Sequence, residues 1–180
     1  LEIFKVADGL GRLSVLINNA GVVDVVARVD EMSVERLNRM MTINIIGTII
    51  PSREAVKRMS TKHGGKGGVI VNLSSAAAKL GSPAMYVDYA ASKGAIDTFT
   101  LGLAREVAAE GIRVNGVRPG LIDTDIHASG GMPDRIEKLR DQIPMKREGS
   151  ADEVARAVCW LASEEASYAT GAVLDVTGGR

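Results

Sequence analysis

Several features are scarce in this sequence, and each scarcity excludes a class of protein. The 180-residue chain has one cysteine, Cys159, so it cannot form an internal disulfide. Its 22 basic and 22 acidic residues cancel, which leaves no electrostatic footprint for nucleic acid or for an anionic membrane. The two histidines, His63 and His127, lie far apart with no cysteine or acidic ligand pattern around them. We therefore expect no protein-held metal site.

Long apolar runs are also missing. The longest, such as residues 43–46 and 169–176, fall well short of the roughly 20 residues that cross a membrane, and we see no signal-peptide pattern. These observations favour a cytoplasmic protein whose partners are small molecules or proteins, with no nucleic-acid or membrane partner. Cys159 lies beside Trp160 in an apolar helical segment, and we expect it to be a buried small hydrophobe.

What is present is the composition of an ordinary globular domain, 46% hydrophobic and 24% charged. Apolar periodicity predicts strands over residues 13–17, 69–73, 113–117 and 172–176. It predicts helices over residues 1–8, 33–59, 85–109, 134–142 and 152–163. Ser33 is a candidate N-cap, and Pro51 should kink its helix near Gly47. The alternation predicts one α/β domain over residues 1–180, with a parallel sheet between two helix layers.

A tyrosine and a lysine stand four residues apart in the third predicted helix. Tyr89 and Lys93 should therefore share one face. A phenol acts as a base only if its pKa falls from about 10 towards the working pH. An ammonium about 5 Å away contributes roughly 3 kcal/mol, or about two pKa units, at an effective dielectric constant of about 20. The pair suits proton chemistry, although Tyr89 could be a core aromatic and Lys93 a surface group with a buried stem.

Five motifs follow one another along the predicted carboxyl edge of the sheet, where open parallel sheets bind ligands. They are Asn18-Asn-Ala-Gly21, Asn44, Ser75, Tyr89 with Lys93, and Pro119-Gly120 with Thr124. Together they resemble the short-chain dehydrogenase/reductase family over essentially all 180 residues. The resemblance implies a Rossmann-like, doubly wound sheet and a bacterial-type oxidoreductase. That enzyme would use NAD or NADP to interconvert a secondary alcohol and a ketone, as sugar-alcohol dehydrogenases and 3-oxoacyl-carrier reductases do.

The resemblance also implies roles for individual residues. Tyr89 would be the general acid/base, and Lys93 its electrostatic partner and a donor to the nicotinamide ribose. Ser75 would donate a hydrogen bond to the reacting oxygen, with Ser74 as the alternative. Asn44 would hold a water in a proton relay through Lys93, the other interpretation being an amide that kinks its helix.

Cofactor contacts are implied at both ends of the site. The turn of Asn18, Ala20 and Gly21 would pack on the adenosine side, where a glycine permits close backbone approach. The segment over the nicotinamide would contain Pro119, Gly120, Ile122 and Thr124, with main-chain groups of Ile122 contacting the carboxamide. Arg118 stands where the family has a small residue, and it would pair with an acid or border the cofactor cleft.

Residues 121–150 occupy the position of the family's substrate lid. Glycines at 130 and 131 would let this segment order over a ligand. His127 and Met132 are candidates for the pocket lining, although a lone histidine in a loop is more often solvated. The segment has few aromatics and no basic cluster, so neither a bulky flat substrate nor a strongly anionic one is indicated.

The front of the family pattern is absent. Members begin with a strand, a glycine-rich phosphate-binding turn and a helix, whereas the glycines at 64–68 precede a strand. About 70 to 80 residues would be missing, roughly one nucleotide-binding half of the fold, together with the residue that selects NAD or NADP. We expect these 180 residues alone to be unstable or inactive.

Two wider expectations follow from the resemblance. Members form dimers or tetramers through the helices predicted here at 33–59 and 85–109 and through the last strand, so we expect a homo-oligomer. A catalytically silent relative that senses dinucleotide or serves assembly is the alternative function. The presence of Asn44, Ser75, Tyr89 and Lys93 argues against it, because such a relative would be free to lose them.

Overall fold

A computed structural model describes residues 2–180 and confirms the α/β architecture. The strands are β1 (Val15–Asn18), β2 (Gly68–Leu73), β3 (Ile112–Pro119), β4 (Ile122–Asp123), β5 (Gly149–Ser150) and β6 (Val173–Val176). The helices are α1 (Glu2–Leu10), α2 (Val34–Met41), α3 (Gly47–Met59), α4 (Ala77–Leu80), α5 (Val87–Val107), α6 (Ile126–Ser129), α7 (Arg135–Leu139) and α8 (Ala151–Ala162). Leu1, where the first predicted helix begins, lies outside the described residues.

The main sheet is parallel, in the order β1-β2-β3-β6. Val71 of β2, for example, lies between Ile17 of β1 and Asn115 of β3. A second, two-stranded parallel ladder joins β4 to β5, with Ile122 opposite Gly149. Because the strands are parallel, the loops that follow β1, β2, β3 and β6 open at one edge of the sheet.

Alternate residues of β2 pack into separate apolar cores on the two faces of the sheet. Ile70 joins Met59 of α3 and Val107 of α5 in one core, whereas Val71 joins Leu161 of α8 in the other. This alternation is the period of two that a strand imposes on its side chains. The predicted three-layer arrangement of helix, sheet and helix is therefore confirmed.

The helix predicted over residues 33–59 contains a break in its hydrogen-bonding pattern. Ser33 caps it, since the Ser33 hydroxyl accepts a bond from the backbone N–H of Arg36 at 3.2 Å. Between α2 and α3 lies a π-helical turn, Thr42–Ile46, in which the N–H of Gly47 reaches the carbonyl of Thr42. Pro51 lies inside α3 as predicted. The irregularity begins before it, at the turn that carries Asn44.

Other differences from the predicted elements are local. The loop predicted after β2 contains the short helix α4, which ends at Gly81 with φ of 73°. Residues 121–150 hold α6 in addition to α7, which lies within the helix predicted over 134–142. The expectation that Cys159 is buried is wrong, because the thiol is exposed. The face of α8 that enters the core carries Leu161 and Val158, and Cys159 lies on a neighbouring face.

The described residues also bear on the membrane and metal expectations. None of their helices is long and apolar enough to cross a membrane. Among residues 2–180, no three His, Cys, Asp or Glu side chains cluster as metal ligands. Strand β1 forms one edge of the main sheet, and its Val15 and Ile17 are each 38% exposed.

Candidate active site

A cavity of about 940 Å³ opens at the carboxyl edge of the sheet. Loops after β1, β2 and β3, the start of α5, the 121–150 segment and one side of α8 contribute to its walls. Predicted site residues that line it are Gly21, Ser75, Tyr89, Lys93, Pro119, Gly120, Ile122 and Thr124. Residues 100 positions apart in the sequence thus meet at one site.

Tyr89 and Lys93 both face this cavity from α5. Lys93 is only 5% exposed, and its ammonium donates a hydrogen bond to the carbonyl of Leu73 at 2.7 Å. The same nitrogen lies 5.8 Å from the centre of the Tyr89 ring. The lysine is therefore held between the end of β2 and the tyrosine, on the shared face that the spacing predicted.

The pKa values of this pair differ from the expectation that Lys93 lowers the pKa of Tyr89. Burial raises the pKa of the Tyr89 phenol above its ordinary value, and the opposing effects come from Ser75 and from the charge of Arg135. Burial also lowers the pKa of Lys93 to about 8, against the nearby carboxylate of Asp97. Loss of hydration is the largest cause of both shifts, because both side chains are removed from water.

The two serines after β2 have different environments. Ser74 is buried, and its hydroxyl donates to the backbone carbonyl of Lys93 at 3.1 Å. Ser75 is half-buried and close enough to Tyr89 to lower its pKa. The Ser75 oxygen accepts a bond from the N–H of Ala77 at 3.1 Å, which leaves the hydroxyl proton free to donate. This geometry favours Ser75 as the residue that faces a reacting oxygen.

Asn44 lies behind the cavity on the π-helical turn, fully buried. Its side-chain oxygen accepts from the N–H of Val22 at 2.8 Å, and its amide donates to the Val22 carbonyl at 2.9 Å and to Ser92 at 3.0 Å. A Cβ on Gly21 would lie 3.3 Å from the Lys93 ammonium and 3.4 Å from the Asn44 oxygen. The loop after β1 is thus packed against the lysine and joined to α5 through Asn44.

The residues of the turn after β1 differ in their position relative to the cavity. Asn18 is buried, and its amide donates to Ser52 at 2.9 Å and to Asn72 at 2.8 Å, which ties β1 to α3 and β2. Neither Asn18 nor Ala20 lines the cavity, whereas the exposed Asn19 does. Strand alternation is the signal that could have separated Asn18 from Asn19, since neighbouring side chains leave a strand on opposite faces.

The segment after β3 lines the cavity over residues 119–122 and again at Thr124. Arg118, just before it, pairs with an acid, as one of the two sequence interpretations holds. Its guanidinium lies 2.8 Å from Asp97 and 3.2 Å from Asp175. The Ile122 carbonyl, expected near a carboxamide, accepts a bond from His127 at 2.7 Å.

The 121–150 segment forms the wall of the cavity opposite α5 and brings side chains that the sequence did not single out. His127 lines the cavity and Met132 does not. Burial lowers the pKa of the His127 imidazole, so the ring is neutral at pH 7. Arg135 of α7 and Arg180 after β6 also line the cavity. Arg135 and Arg180 come to the same cavity through the tertiary fold, and no sequence motif indicates it.

Comparison with known proteins identifies relatives along the whole of this arrangement. A family model described as enoyl-(acyl carrier protein) reductase matches residues 3–180. The oxidoreductase YgfF of Escherichia coli is 56% identical over 168 residues, covering 93% of this chain and 68% of the relative. Glucose 1-dehydrogenase 2 of Bacillus subtilis is 41% identical over 169 residues, covering 94% of this chain and 64% of the relative. The chain thus spans about two thirds of the length of these relatives.

Solved structures match the fold equally well. The 3-ketoacyl-(acyl-carrier-protein) reductase of Brucella melitensis, complexed with NADH, superimposes with a TM-score of 0.90 at 30% identity, covering 99% of this chain and 71% of that chain. ElxO with NADP bound gives a TM-score of 0.86 at 34% identity, covering 98% of this chain and 71% of that chain. Fold, family match and sequence identity agree: the chain belongs to the short-chain dehydrogenase/reductase family of oxidoreductases.

Proposed function

We propose that this chain carries the catalytic centre of an NAD(P)-dependent oxidoreductase that interconverts a secondary alcohol and a ketone, with Tyr89 as general acid/base. The observation that carries the proposal is the convergence of Tyr89 and Ser75 on one cavity with the buried Lys93 behind them. Relatives named for glucose and for 3-ketoacyl substrates support this reaction class. They leave two kinds of substrate to separate, a polyol or sugar and a 3-oxoacyl compound.

The residues present fit a nicotinamide cofactor. A 940 Å³ cavity is large enough for a small substrate and the reactive end of a dinucleotide. Gly21 lies where any side chain would press on Lys93 and Asn44, which keeps that wall flat. Lys93, Gly21 and the segment from Pro119 to Thr124 would hold the cofactor. When bound, the nicotinamide supplies or accepts the hydride.

The proton chemistry belongs to Tyr89 and Ser75. Because burial raises the pKa of Tyr89, its phenol is protonated at neutral pH and can donate to the oxygen of a ketone as that oxygen becomes an alcohol. Ser75 donates a second hydrogen bond to the same oxygen, since its hydroxyl accepts from the N–H of Ala77 and its proton is free. Donation leaves Tyr89 as a phenolate, which the ammonium of Lys93 stabilises. In the oxidative direction this phenolate takes the proton of the alcohol and becomes the phenol again.

Asn44 completes the proposed machinery as the group that holds a water on the proton path from Lys93. Its side-chain bonds to Val22 and Ser92 support a second role, as an anchor that fixes the loop after β1 against α5. The π-helical turn around Asn44 supports a functional site at this point, because such turns are frequent at functional positions.

The enzyme is further proposed to act in the cytoplasm as a homo-oligomer, a dimer or a tetramer. Large apolar side chains face outward on the helices and strand expected to form the contacts: Ile46 is 46% exposed, Leu101 39% and Leu174 38%. Light scattering of the full protein that shows only monomers would contradict the assembly.

Tyr89→Phe tests the proposed chemistry. Turnover of a panel of polyols, sugars and 3-oxoacyl compounds should fall at least about 10³-fold, because the proton donor is lost. The dissociation constant for NADH or NADPH, followed by nicotinamide fluorescence, should change less than about threefold, or about 0.7 kcal/mol. Tyr168→Phe is the matched control, since Tyr168 is fully exposed. If the wild type binds dinucleotide but turns over nothing, the silent sensing relative is the better description.

A further inference from the structure

Within residues 2–180, the permanently charged side chains that line the cavity are all cationic. The chain has 22 acidic residues, yet within residues 2–180 no aspartate or glutamate lines this cavity. Three cationic side chains do, those of Lys93, Arg135 and Arg180. Lys93 has a part in the proposed proton chemistry, whereas the two arginines have none.

Within residues 2–180, neither Arg135 nor Arg180 pairs with an aspartate or glutamate side chain. Among the described residues, the guanidinium groups of Arg135 and Arg180 form no ion pair and no hydrogen bond. Eight other arginines pair with carboxylates: Arg28, Arg36, Arg39, Arg53, Arg58, Arg118, Arg140 and Arg147. Arg105 and Arg156 also form no such contact, but both are exposed, whereas Arg135 and Arg180 are half-buried. No nitrogen of either guanidinium is buried without a partner, so both groups are accessible from the cavity and can bind an anion that enters it.

Arg135 is held in a defined place. Its guanidinium carbon lies 5.0 Å from the centre of the Tyr86 ring, a cation–π contact. Tyr86 is itself 3% exposed, and its hydroxyl donates to the Gly130 carbonyl at 2.9 Å. The ring is therefore a fixed platform just before α5, three residues from Tyr89. This contact uses none of the guanidinium N–H groups as hydrogen-bond donors, so they can bind an anion in a bidentate manner.

Arg135 is close enough to both Tyr89 and Arg180 to influence their titration. Its charge lowers the pKa of Tyr89, and the same charge adds to burial in lowering the pKa of Arg180. Arg135 thus lies within electrostatic reach of the group that we propose to transfer the proton, and Arg180 lies near Arg135 in the lining of the same cavity. Like charges brought together without an intervening anion repel, so the arrangement suits a negatively charged group placed between or beside them.

We propose that Arg135 and Arg180 bind an anionic group of the substrate, a carboxylate or a phosphate, while its carbonyl lies at Tyr89 and Ser75. This inference rests on the proposed function and narrows the substrate to an anionic ketone and the matching alcohol. It also replaces the sequence expectation that no strongly anionic substrate is indicated, since the two arginines lie 45 positions apart and form no cluster in the sequence.

Matched substrate pairs in the full protein provide the test. The panel is 2-, 3- and 4-oxo acids against their methyl esters, and dihydroxyacetone phosphate against dihydroxyacetone. The wild type should favour the anionic member of at least one pair by about 10-fold or more in kcat/KM, the value of a charge-assisted hydrogen bond. Preference for the oxo acids identifies a carboxylate, and preference for dihydroxyacetone phosphate identifies a phosphate.

Charge-removing variants then assign the effect. Arg135→Gln and Arg180→Gln should each reduce kcat/KM for the favoured anion about 10-fold, mainly through KM, and leave the neutral partner within about twofold. Arg135→Lys should recover part of the loss, because it restores charge without the planar fork. Arg156→Gln, which removes an exposed arginine without a partner, is the matched control and should change neither substrate.

Three outcomes would overturn the inference. The first is equal activity on both members of every pair. The second is an increase in KM for NADH or NADPH in the arginine variants that is the same for every substrate, which would assign the pair to the cofactor. If the wild type reduces no ketone, the proposed function fails, and calorimetry with the same anions still tests the arginines. In that case, a weaker affinity of Arg135→Gln for the anion supports the proposed role of the two arginines. The third overturning outcome is that no anion of the panel binds the wild type more tightly than it binds the arginine variants.

Discussion

The two halves of α5 bury different chemistry. In its first two turns, Asp88, Ser92 and Lys93 are each at most 5% exposed, and each has a polar partner in another element. In its last turns, Ala104 and Val107 are 1% exposed and belong to the apolar core shared with α3, β2 and β3. One helix of 21 residues thus contains a polar segment whose burial lowers stability and an apolar segment whose burial raises it.

The contrast shows how the site is kept in place. Burying a charge or an amide lowers stability unless partners satisfy it, whereas burying an aliphatic side chain contributes about 1.5–3 kcal/mol. Apolar burial in the second half of α5 can offset the free-energy cost of burying polar groups in the first half. Because both halves belong to one continuous helix, packing of the second half also fixes the position of the first. Four variants test this comparison, in order of decreasing effect on the free energy of unfolding.

Arg36→Met should have the largest effect. Its guanidinium lies 2.8 Å from Asp88, and the two side chains are 9% and 0% exposed. Removing one partner leaves a buried charge, so unfolding of the full protein by urea should require about 3–5 kcal/mol less. Arg53→Met breaks an ion pair whose arginine side chain is 61% exposed, and it should cost under about 0.5 kcal/mol. An equal loss in both variants would remove the distinction between the two pairs.

Lys93→Met should abolish turnover and yet stabilise the fold by about 1–3 kcal/mol at pH 7. Burial lowers the pKa of Lys93 to about 8, so the folded protein binds this proton less tightly than the unfolded chain, whose lysine titrates near its ordinary value. The cost is therefore complete below about pH 8 and disappears as pH rises towards the ordinary pKa of about 10.4. Thermal unfolding should show the advantage of the variant shrinking across that interval. An advantage that grows with pH would contradict the prediction. As a control, Lys66→Met removes an exposed lysine and should change the free energy of unfolding by less than about 0.5 kcal/mol at pH 7.

Val107→Ala tests the apolar half and should cost about 2 kcal/mol, from lost burial and the cavity left behind. Its kcat per folded molecule should stay within about twofold, because the site lies at the other end of α5. The same change at Val34, which is 66% exposed, should leave stability within about 0.5 kcal/mol. A large loss of kcat in Val107→Ala would show that the two halves are not separable.

Ser74→Ala should have the smallest effect on stability, about 1 kcal/mol, because it removes one buried hydrogen bond to the carbonyl of Lys93. Ser75→Ala is its matched partner and should leave the unfolding free energy within about 0.5 kcal/mol while lowering kcat about 10²-fold. Urea unfolding and steady-state kinetics of both variants show which serine contributes to stability and which to turnover. Exchange of the two phenotypes would assign the reacting serine to Ser74.

Local signals predicted most of the elements. Runs such as Val69 to Leu73 read as buried strands because apolar periodicity is a property of neighbouring residues, and the Ser33 cap is equally local. The π-helical turn at residues 42–46 was not predicted, since it depends on packing around Asn44 and not on propensity. The burial of Cys159 was predicted wrongly, because it was inferred from the general tendency of free cysteines and not from the side of α8 that enters the core.

The site was predictable to the extent that motifs are local. The i, i+4 spacing placed Tyr89 and Lys93 on one face, but it did not give the direction of either pKa shift, because burial is a tertiary quantity and is the largest cause of both. The meeting of Arg135 with Arg180 likewise required the fold, since an element after β3 and the chain after β6 reach the same cavity.

The π-helical turn at Thr42–Ile46 amounts to one residue more than a regular helix needs. Deleting a single residue there would restore regular α-helical hydrogen bonding between α2 and α3, apart from the bond that Pro51 cannot donate. The same deletion would rotate the helix on one side of it by about 100° relative to the other, and would turn Asn44 or the residues before it away from Val22 and Ser92. Length at this point, as much as residue identity, is therefore under constraint, and a one-residue change is less tolerable than many substitutions.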